Sequence, residues 1–363
     1  VVTFYDSTGA KLEGGLALLN ANARLTAEIA RVSGVVPQIA VVTGTCAGTN
    51  AINAASADVC VMAEDAELFL NAPFNAEDKV ANAGSAAFAA KAGVAAVTAA
   101  DAAAKQAASI VALLPANNLA GPALFDFAAP SKALDLVKYT AADAVAALAD
   151  EGSAVELYAG YGKNIVTALA TINGSAVGIV ATEKKALCHK CTAKAARFVR
   201  LCDAYSIPVV TIVNTEGFGR SEGDDEAGGI RQAARMAGVY AEATTVKVAV
   251  LAGEAVGPAY TVFAACADWR VAVQGCTVAP LAPEAAVTVL YKDEIFASDN
   301  IVNATKAKAA AYAKEICSAD AAVANGSADA VAATARASVA QALDMLVGKR
   351  AVRLAKKHGN ITL

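Results

Sequence analysis

The sequence predicts an α/β chain built from two copies of one unit, and three observations predict it. An apolar run closing on a polar glycine turn occurs twice, as TFYDSTGA (3–10) and TIVNTEGF (211–218). A second apolar run closing on a glycine pair also occurs twice, as PQIAVVTGTCAG (37–48) and VKVAVLAGEAVG (246–257). An Ala-Asp step that opens a further apolar run follows in both, at Ala57-Asp58 and Ala267-Asp268. Recurrence in this order marks a duplicated domain rather than chance glycines.

Each element follows from local pattern. Asp6 matches Asn214, and Gly9 matches Gly217. After the first turn, Leu18, Ala21, Leu25, Ile29 and Val32 recur at helical spacing, and Ile230, Ala233, Ala234 and Ala237 do so in the second copy. Gly44 and Gly48 stand at one constant offset from Gly253 and Gly257, while the Ala-Asp step is one residue out of step. Ahead of Thr211 the second copy carries a strand over 176–181. A helix with Ala195, Phe198, Val199 and Cys202 on one face follows, and Ile207 and Pro208 open the next strand. The first copy has no such lead-in, so roughly fifty or more residues of a complete first unit are expected ahead of Val1. Residues 115–130, with their Pro, Asn and Gly, read as a surface linker. An alanine-rich helical stretch follows, and Glu151-Gly152-Ser153 turns into the second unit. The tail from about Ile301 is helical in composition. Its cluster of Lys349, Arg350, Arg353, Lys356 and Lys357 reads as a solvated face.

Composition excludes several classes. The 363 residues are 56% hydrophobic and 18% charged, enough for two packed cores and unlike a disordered chain. A net charge of -4 with mixed signs gives no nucleic-acid footprint. Eight cysteines without a scaffold pattern read as reduced thiols in a cytoplasmic protein, and no signal-peptide pattern is present. Residues 33–57 carry no charge, but Pro37, Gln38, Asn50 and Asn53 interrupt them. A buried strand, a tight turn and a buried helix fit better than a membrane span.

The turns at Gly44–Gly48 and Gly253–Gly257 carry the chemistry. Where a buried strand gives way to a helix, the first backbone N–H groups lack intrahelical partners and the helix dipole favours negative charge. Glycine lets a ligand approach the backbone. Two such N–H groups make an oxyanion hole, in which one donor contributes about 2.7–4 kcal/mol of transition-state stabilisation. One turn alone fits an ordinary close-packed junction; two matched turns favour function. Other catalytic devices are scarce. The only histidines are His189 and His358. Cys188-His189-Lys190-Cys191 has CxxC spacing but no second pair at zinc-ribbon distance, so no metal is expected. Neither a phosphate loop nor a dinucleotide-binding glycine motif is present.

Longer motifs carry a family resemblance. KAARFVRLCDAYSIPVVTIVNTEGF (194–218) and YGKNIVTALATINGSAVGIVA (161–181) resemble the carboxyltransferase subunits of propionyl-CoA carboxylase, methylmalonyl-CoA decarboxylase and glutaconyl-CoA decarboxylase. SGVVPQIAVVTGTCAG (33–48) and LLPANN (113–118) resemble the SGVIPQI…GPCAGG and LPSNN stretches of that family. The resemblance implies two crotonase-type ββα superhelix domains. The expected layout is a first carboxyltransferase domain over 1–120 with its start missing, a linker and helix over 121–155, and a second domain over 156–363. It implies transfer of a carboxylate between N1 of carboxybiotin and the α-carbon, or a vinylogous carbon, of an acyl-CoA. The Gly48–Thr49 turn would hold the thioester oxygen. The turn from Gly257 to Ala259 would hold the biotin ureido oxygen. Gly9, Ala10, Gly217 and Phe218 would flank the cleft, and Thr261 stands where many relatives carry Asp beside the acyl pocket.

The implied assembly is a homo-oligomer, a dimer of trimers, whose site forms between the first domain of one subunit and the second of another. With no biotinylation segment and no ATP-dependent module, biotin must arrive on a separate carrier protein. Its further partner would be either a biotin carboxylase or a membrane sodium-pumping decarboxylase subunit, which places the chain in the cytoplasm or at the edge of a membrane complex. The motifs lie nearest the anaerobic decarboxylase type. Two departures concern the turns: Pro258 replaces a glycine and has no N–H, and Thr49 replaces another. Two alternatives remain. A biotin-free crotonase relative would need an acid or base such as Glu254 or Glu64. A degenerate scaffold subunit is favoured by Pro258.

Overall fold

The structure, a computed structural model, describes residues 1–72, 82–351 and 354. Arg353, Lys356, Lys357 and His358 lie outside the described residues. The first copy runs β1 (Val2–Ser7), α1 (Gly15–Val32), β2 (Ile39–Ala47), α2 (Thr49–Ser56), β3 (Val59–Ala63), β4 (Glu67–Phe69), α3 (Ala86–Ala92), β5 (Ala96–Thr98) and α4 (Ala103–Leu113). Its sheet has the order β1-β2-β3-β5, all parallel, with β4 added to the far end of β2. The central strand β3 is buried throughout, which its unbroken apolar run VCVMA requires.

The second part runs α5 (Ala141–Leu148), β6 (Val155–Glu156), β7 (Ile165–Ile172), β8 (Ser175–Thr182), α6 (His189–Ala204), β9 (Val209–Val213), α7 (Glu222–Glu226) and α8 (Gly229–Glu242). It continues with β10 (Lys247–Leu251), β11 (Glu254–Val256), α9 (Pro258–Phe263), β12 (Trp269–Val273) and β13 (Thr277–Ala279). Helices α10 (Pro283–Leu290), α11 (Lys292–Phe296), α12 (Ile301–Ile316) and α13 (Ala319–Ala324), strand β14 (Ala330–Ala332) and helix α14 (Ala335–Leu346) close it. Its main sheet has the order β14-β12-β10-β9-β8-β7-β6. The β7–β8 hairpin and the β6–β7 pair are antiparallel, and the other pairs are parallel.

The duplication extends to single hydrogen bonds. Asp58 Oδ2 accepts the Gln38 N–H at 2.8 Å, and Asp268 Oδ2 accepts the Lys247 N–H at 2.8 Å. The Asp58 N–H donates to Gln38 O at 2.9 Å, and the Asp268 N–H to Lys247 O at 2.8 Å. The one-residue slip in the Ala-Asp step is therefore absorbed without loss of the contact. A Cβ at Gly44 would overlap the Asp6 carboxylate, and one at Gly253 would overlap the Asn214 amide. At both glycines a side chain from the neighbouring chain segment crosses directly over the backbone; the buried Asn214 cannot give way to a Cβ, whereas the exposed Asp6 can.

Two helix faces differ from expectation. Ile230 is 82% exposed and Ala234 is also exposed; α8 packs instead through Met236, Val239 and Tyr240. The small side chains Ala233, Ala234 and Ala237 give periodicity without area, so the larger residues decide the face. On α1, Leu18, Ile29 and Val32 are half-buried, whereas Ala21 and Leu25 are exposed and no residue of the helix is fully buried. Strand β1 is the edge of its sheet, with Val2 and Phe4 exposed; its counterpart β9 lies inside the larger sheet, covered by β8.

Candidate functional site

The two glycine turns are one structure made twice. Gly48 caps α2 with φ 60° and ψ −127°, and Gly257 caps α9 with φ 54° and ψ −125°. This left-handed backbone is available to glycine at little cost. In each copy a short strand secures the turn: the Gly48 N–H donates to Phe69 O at 3.0 Å, and the Gly257 N–H to Ala279 O at 2.8 Å. Gly48 and Gly257 therefore build the turn, but their own N–H groups are spent inside the fold. The groups left for an anion are those that follow. In the first copy these are Thr49 and Asn50, at the first two positions of α2. In the second copy Pro258 holds the first position of α9 and has no N–H, so the first donor is that of Ala259, a residue fully buried in the single chain. Proline at a first helical position fits the fold and leaves this turn one N–H fewer than the first.

The structure brings Gly9, Ala10, Gly48 and Thr49 together. They line one cleft of about 690 Å³, with Lys11, Asn22, Phe69 and Leu70 around them. Among its described lining residues Lys11 is the only charged group, and there is no carboxylate and no histidine. All described lining residues belong to the first copy, so within one chain this cleft does not include the Gly257 turn. Lys11, Asn22, Phe69 and Leu70 were not legible as site residues. Strand β4, which carries Phe69, has three residues, too few to show a period.

In the second copy the loop after β9 is tied to the start of β11. Asn214 Oδ1 accepts the Glu254 N–H at 3.1 Å, and the Thr215 N–H donates to Glu254 O at 2.9 Å. Gly217 and Phe218 lie just beyond, in a short parallel bridge with Leu187. The Leu187 N–H donates to Gly217 O and the Gly219 N–H to Leu187 O, both at 2.8 Å. Thr261 is exposed on α9, and its hydroxyl turns back to Gly257 O at 3.4 Å. The carboxylates that an acid–base mechanism would need are at the surface. Glu64 is exposed, and Glu254 is 3.6 Å from Lys184, with both side chains exposed. Among the described residues no group of three or more His, Cys, Asp or Glu is placed to hold a metal ion.

Comparison with known proteins completes the picture. The carboxyl transferase domain family matches residues 1–361. The chain belongs to the carboxyl transferase family. This carboxyltransferase is 34% identical to the methylmalonyl-CoA carboxyltransferase 12S subunit of Propionibacterium freudenreichii, over 98% of the chain and 74% of that subunit. It is 31% identical to the methylmalonyl-CoA decarboxylase subunit alpha of Veillonella parvula, over 100% of the chain and 76% of that subunit. It is also 31% identical to the propionyl-CoA carboxylase beta chain of Saccharopolyspora erythraea, over 100% of the chain and 74% of that protein. The crystal structure of transcarboxylase 12S with methylmalonyl-coenzyme A and methylmalonic acid bound superposes with a TM-score of 0.93 and 31% identity, covering 100% of the chain and 75% of that structure. The carboxyltransferase thus has the duplicated crotonase-type α/β fold that its motifs imply. Among its described residues, no helix is long and apolar enough to cross a membrane.

Proposed function

We propose that this carboxyltransferase moves a carboxylate between biotin on a separate carrier protein and the α-carbon of a malonyl-type or methylmalonyl-type CoA thioester. The pair of matched turns, each opening a helix whose first N–H groups have no intrahelical acceptor, carries the reading. Thr49 N–H, with the backbone of Gly9 and Ala10 across the cleft, would hold the thioester oxygen as it gains charge. Ala259 N–H, at the positive end of α9, would hold the ureido oxygen. Biotin, when bound, supplies the ureido nitrogen that accepts or releases the carboxylate. The chain's own contribution is positioning and charge stabilisation, consistent with a cleft whose described lining has no carboxylate or histidine.

Among the described residues the cleft at the first turn is lined by the first copy alone, so the complete site would form between the first domain of one subunit and the second of another. A hexamer, the assembly named for transcarboxylase 12S, would bring subunits together in the way this arrangement needs. The relatives include both a decarboxylase alpha subunit and a carboxylase beta chain, so partnership with a membrane decarboxylase subunit or with a biotin carboxylase follows the same chemistry. Pro258 supports a second reading, a scaffold subunit whose second turn is impaired. The purified oligomer mixed with biotin and malonyl-CoA or methylmalonyl-CoA separates the two. Biotin-dependent loss of the CoA-bound carboxylate is the expected result. A folded oligomer inert toward every malonyl-type thioester would favour the scaffold.

A further inference from the structure

Carboxyl transfer leaves the Cys188-His189-Lys190-Cys191 motif without a role. Cys188 is the N-cap of α6, in an extended conformation with φ −97° and ψ 170°. Cys191 lies one turn into the chain beyond it; its N–H donates to Cys188 O at 2.9 Å, and the two Sγ atoms are 3.2 Å apart. A four-residue turn closed in this way holds its end Cα atoms within about 7 Å, the reach of a disulfide. Cys188 is partly exposed, and Cys191 is buried behind it.

The chemistry of the two sulfurs is split in the same sense. Burial pushes the thiols of Cys46 and Cys276 up to about 11 and that of Cys60 to about 12, which makes them inert. Cys188 goes the other way. The Cys191 thiol, together with the N–H groups of Cys191 and Lys190, holds it down at about 5. Cys191 is raised, first by donating to Cys188 and then by burial. A partly exposed thiolate with a protonated, buried thiol directly behind it is the arrangement of an attacking and a resolving cysteine. Among the described residues no third His, Cys, Asp or Glu joins this pair in a group that could hold a metal ion, and His189 Nδ1 pairs with Asp224 Oδ1 at 2.6 Å.

We propose that Cys188 and Cys191 form a thiol–disulfide exchange site for low-molecular-weight disulfides, with Cys188 attacking and Cys191 resolving. The Cys188 thiolate attacks one sulfur of the external disulfide and expels the other as a thiolate, which takes a proton from solvent. Cys191 then loses its proton to solvent, and its sulfur attacks Cys188 Sγ. The protein disulfide closes as the second external thiolate leaves and is protonated. The protein dithiol is oxidised by two electrons, and the external disulfide is reduced to two thiols.

The test is mass spectrometric and independent of carboxyl transfer. The full chain in its native oligomer is equilibrated with oxidised glutathione, quenched by alkylation and mapped by peptide. The wild type is expected to lose alkylation at Cys188 and Cys191 together and to yield a 188–191 peptide lighter by two hydrogens. Cys191→Ser should accumulate a glutathione mixed disulfide at Cys188, and Cys188→Ser should leave Cys191 reduced. Full alkylation of both thiols in the wild type would overturn the proposal. So would a mixed disulfide at Cys188 that persists in the wild type without closing. The wild-type map does not depend on whether either variant folds.

Discussion

Replacing Thr49 by proline would remove one N–H from the first turn and almost nothing else. The second copy already shows that the backbone accepts it. Gly257 precedes Pro258 with φ 54° and ψ −125°, and Gly48 precedes Thr49 with φ 60° and ψ −127°. The Thr49 side chain is only partly buried, and the turn remains tied by the Gly48 N–H to Phe69 O. Proline at a first helical position is preorganised, so the stability change should stay within about 1 kcal/mol. Loss of one oxyanion donor should cost about 2.7–4 kcal/mol in the transition state, or about 10²–10³ in kcat. The assay is the rate of biotin-dependent carboxylate loss from methylmalonyl-CoA, with thermal melting to verify the fold. Thr49→Ala keeps the N–H and should retain most of the rate. A folded Thr49→Pro enzyme that works as fast as Thr49→Ala would refute the assignment of this N–H.

Three other changes probe the same account. Pro258→Gly restores an N–H at the second turn and should raise the transfer rate by about tenfold or more; an unchanged rate would mean that this position does not face the ureido oxygen. Gly253→Ala should cost about 1–3 kcal/mol in urea unfolding, because its Cβ overlaps buried Asn214, whose Oδ1 holds the Glu254 N–H. Gly44→Ala should cost less, since Asp6 is exposed and can swing aside; equal costs would contradict that reasoning. Lys194 is 5% exposed, and its Nζ donates to Tyr158 O and Tyr161 O, at 3.1 and 2.9 Å. Burial lowers it from 10.5 to about 8, so between these values the unfolded chain binds the extra proton and this group makes stability rise with pH, by up to about 3 kcal/mol. Urea unfolding across that window should show the rise in the wild type but not in Lys194→Met; a rise of equal size in both would exclude Lys194 as its source.

Much of this architecture was readable because duplication writes each constraint twice. The pairs Asp6/Asn214 and Gly44/Gly253 mark a side chain crossing over a glycine backbone, and the Asp58/Asp268 pair marks a carboxylate that accepts the backbone N–H of the neighbouring strand. The strand and helix ahead of Thr211 appear as β8 and α6, with Ala195, Phe198, Val199 and Cys202 buried. What could not be read depends on partners distant in sequence. Nothing local says that Phe69 O and Ala279 O consume the Gly48 and Gly257 N–H groups, because β4 and β13 are three residues each and lack a period. The packed faces of α1 and α8 were misread because alanine spacing carries little burial energy, and neighbouring elements decide which side is covered. The CxxC motif was legible, but its role was not, since the division between a partly exposed and a buried cysteine arises only when α6 docks.

Transfer of the carboxyl group itself tests the central claim most directly. Methylmalonyl-CoA labelled in its free carboxylate would be mixed with the native oligomer and a biotinylated carrier protein, and label on the carrier measured with and without avidin. The account predicts label on the carrier, absent with avidin and sharply reduced with Thr49→Pro. Release of the label without passage through the carrier, insensitive to avidin, would contradict it.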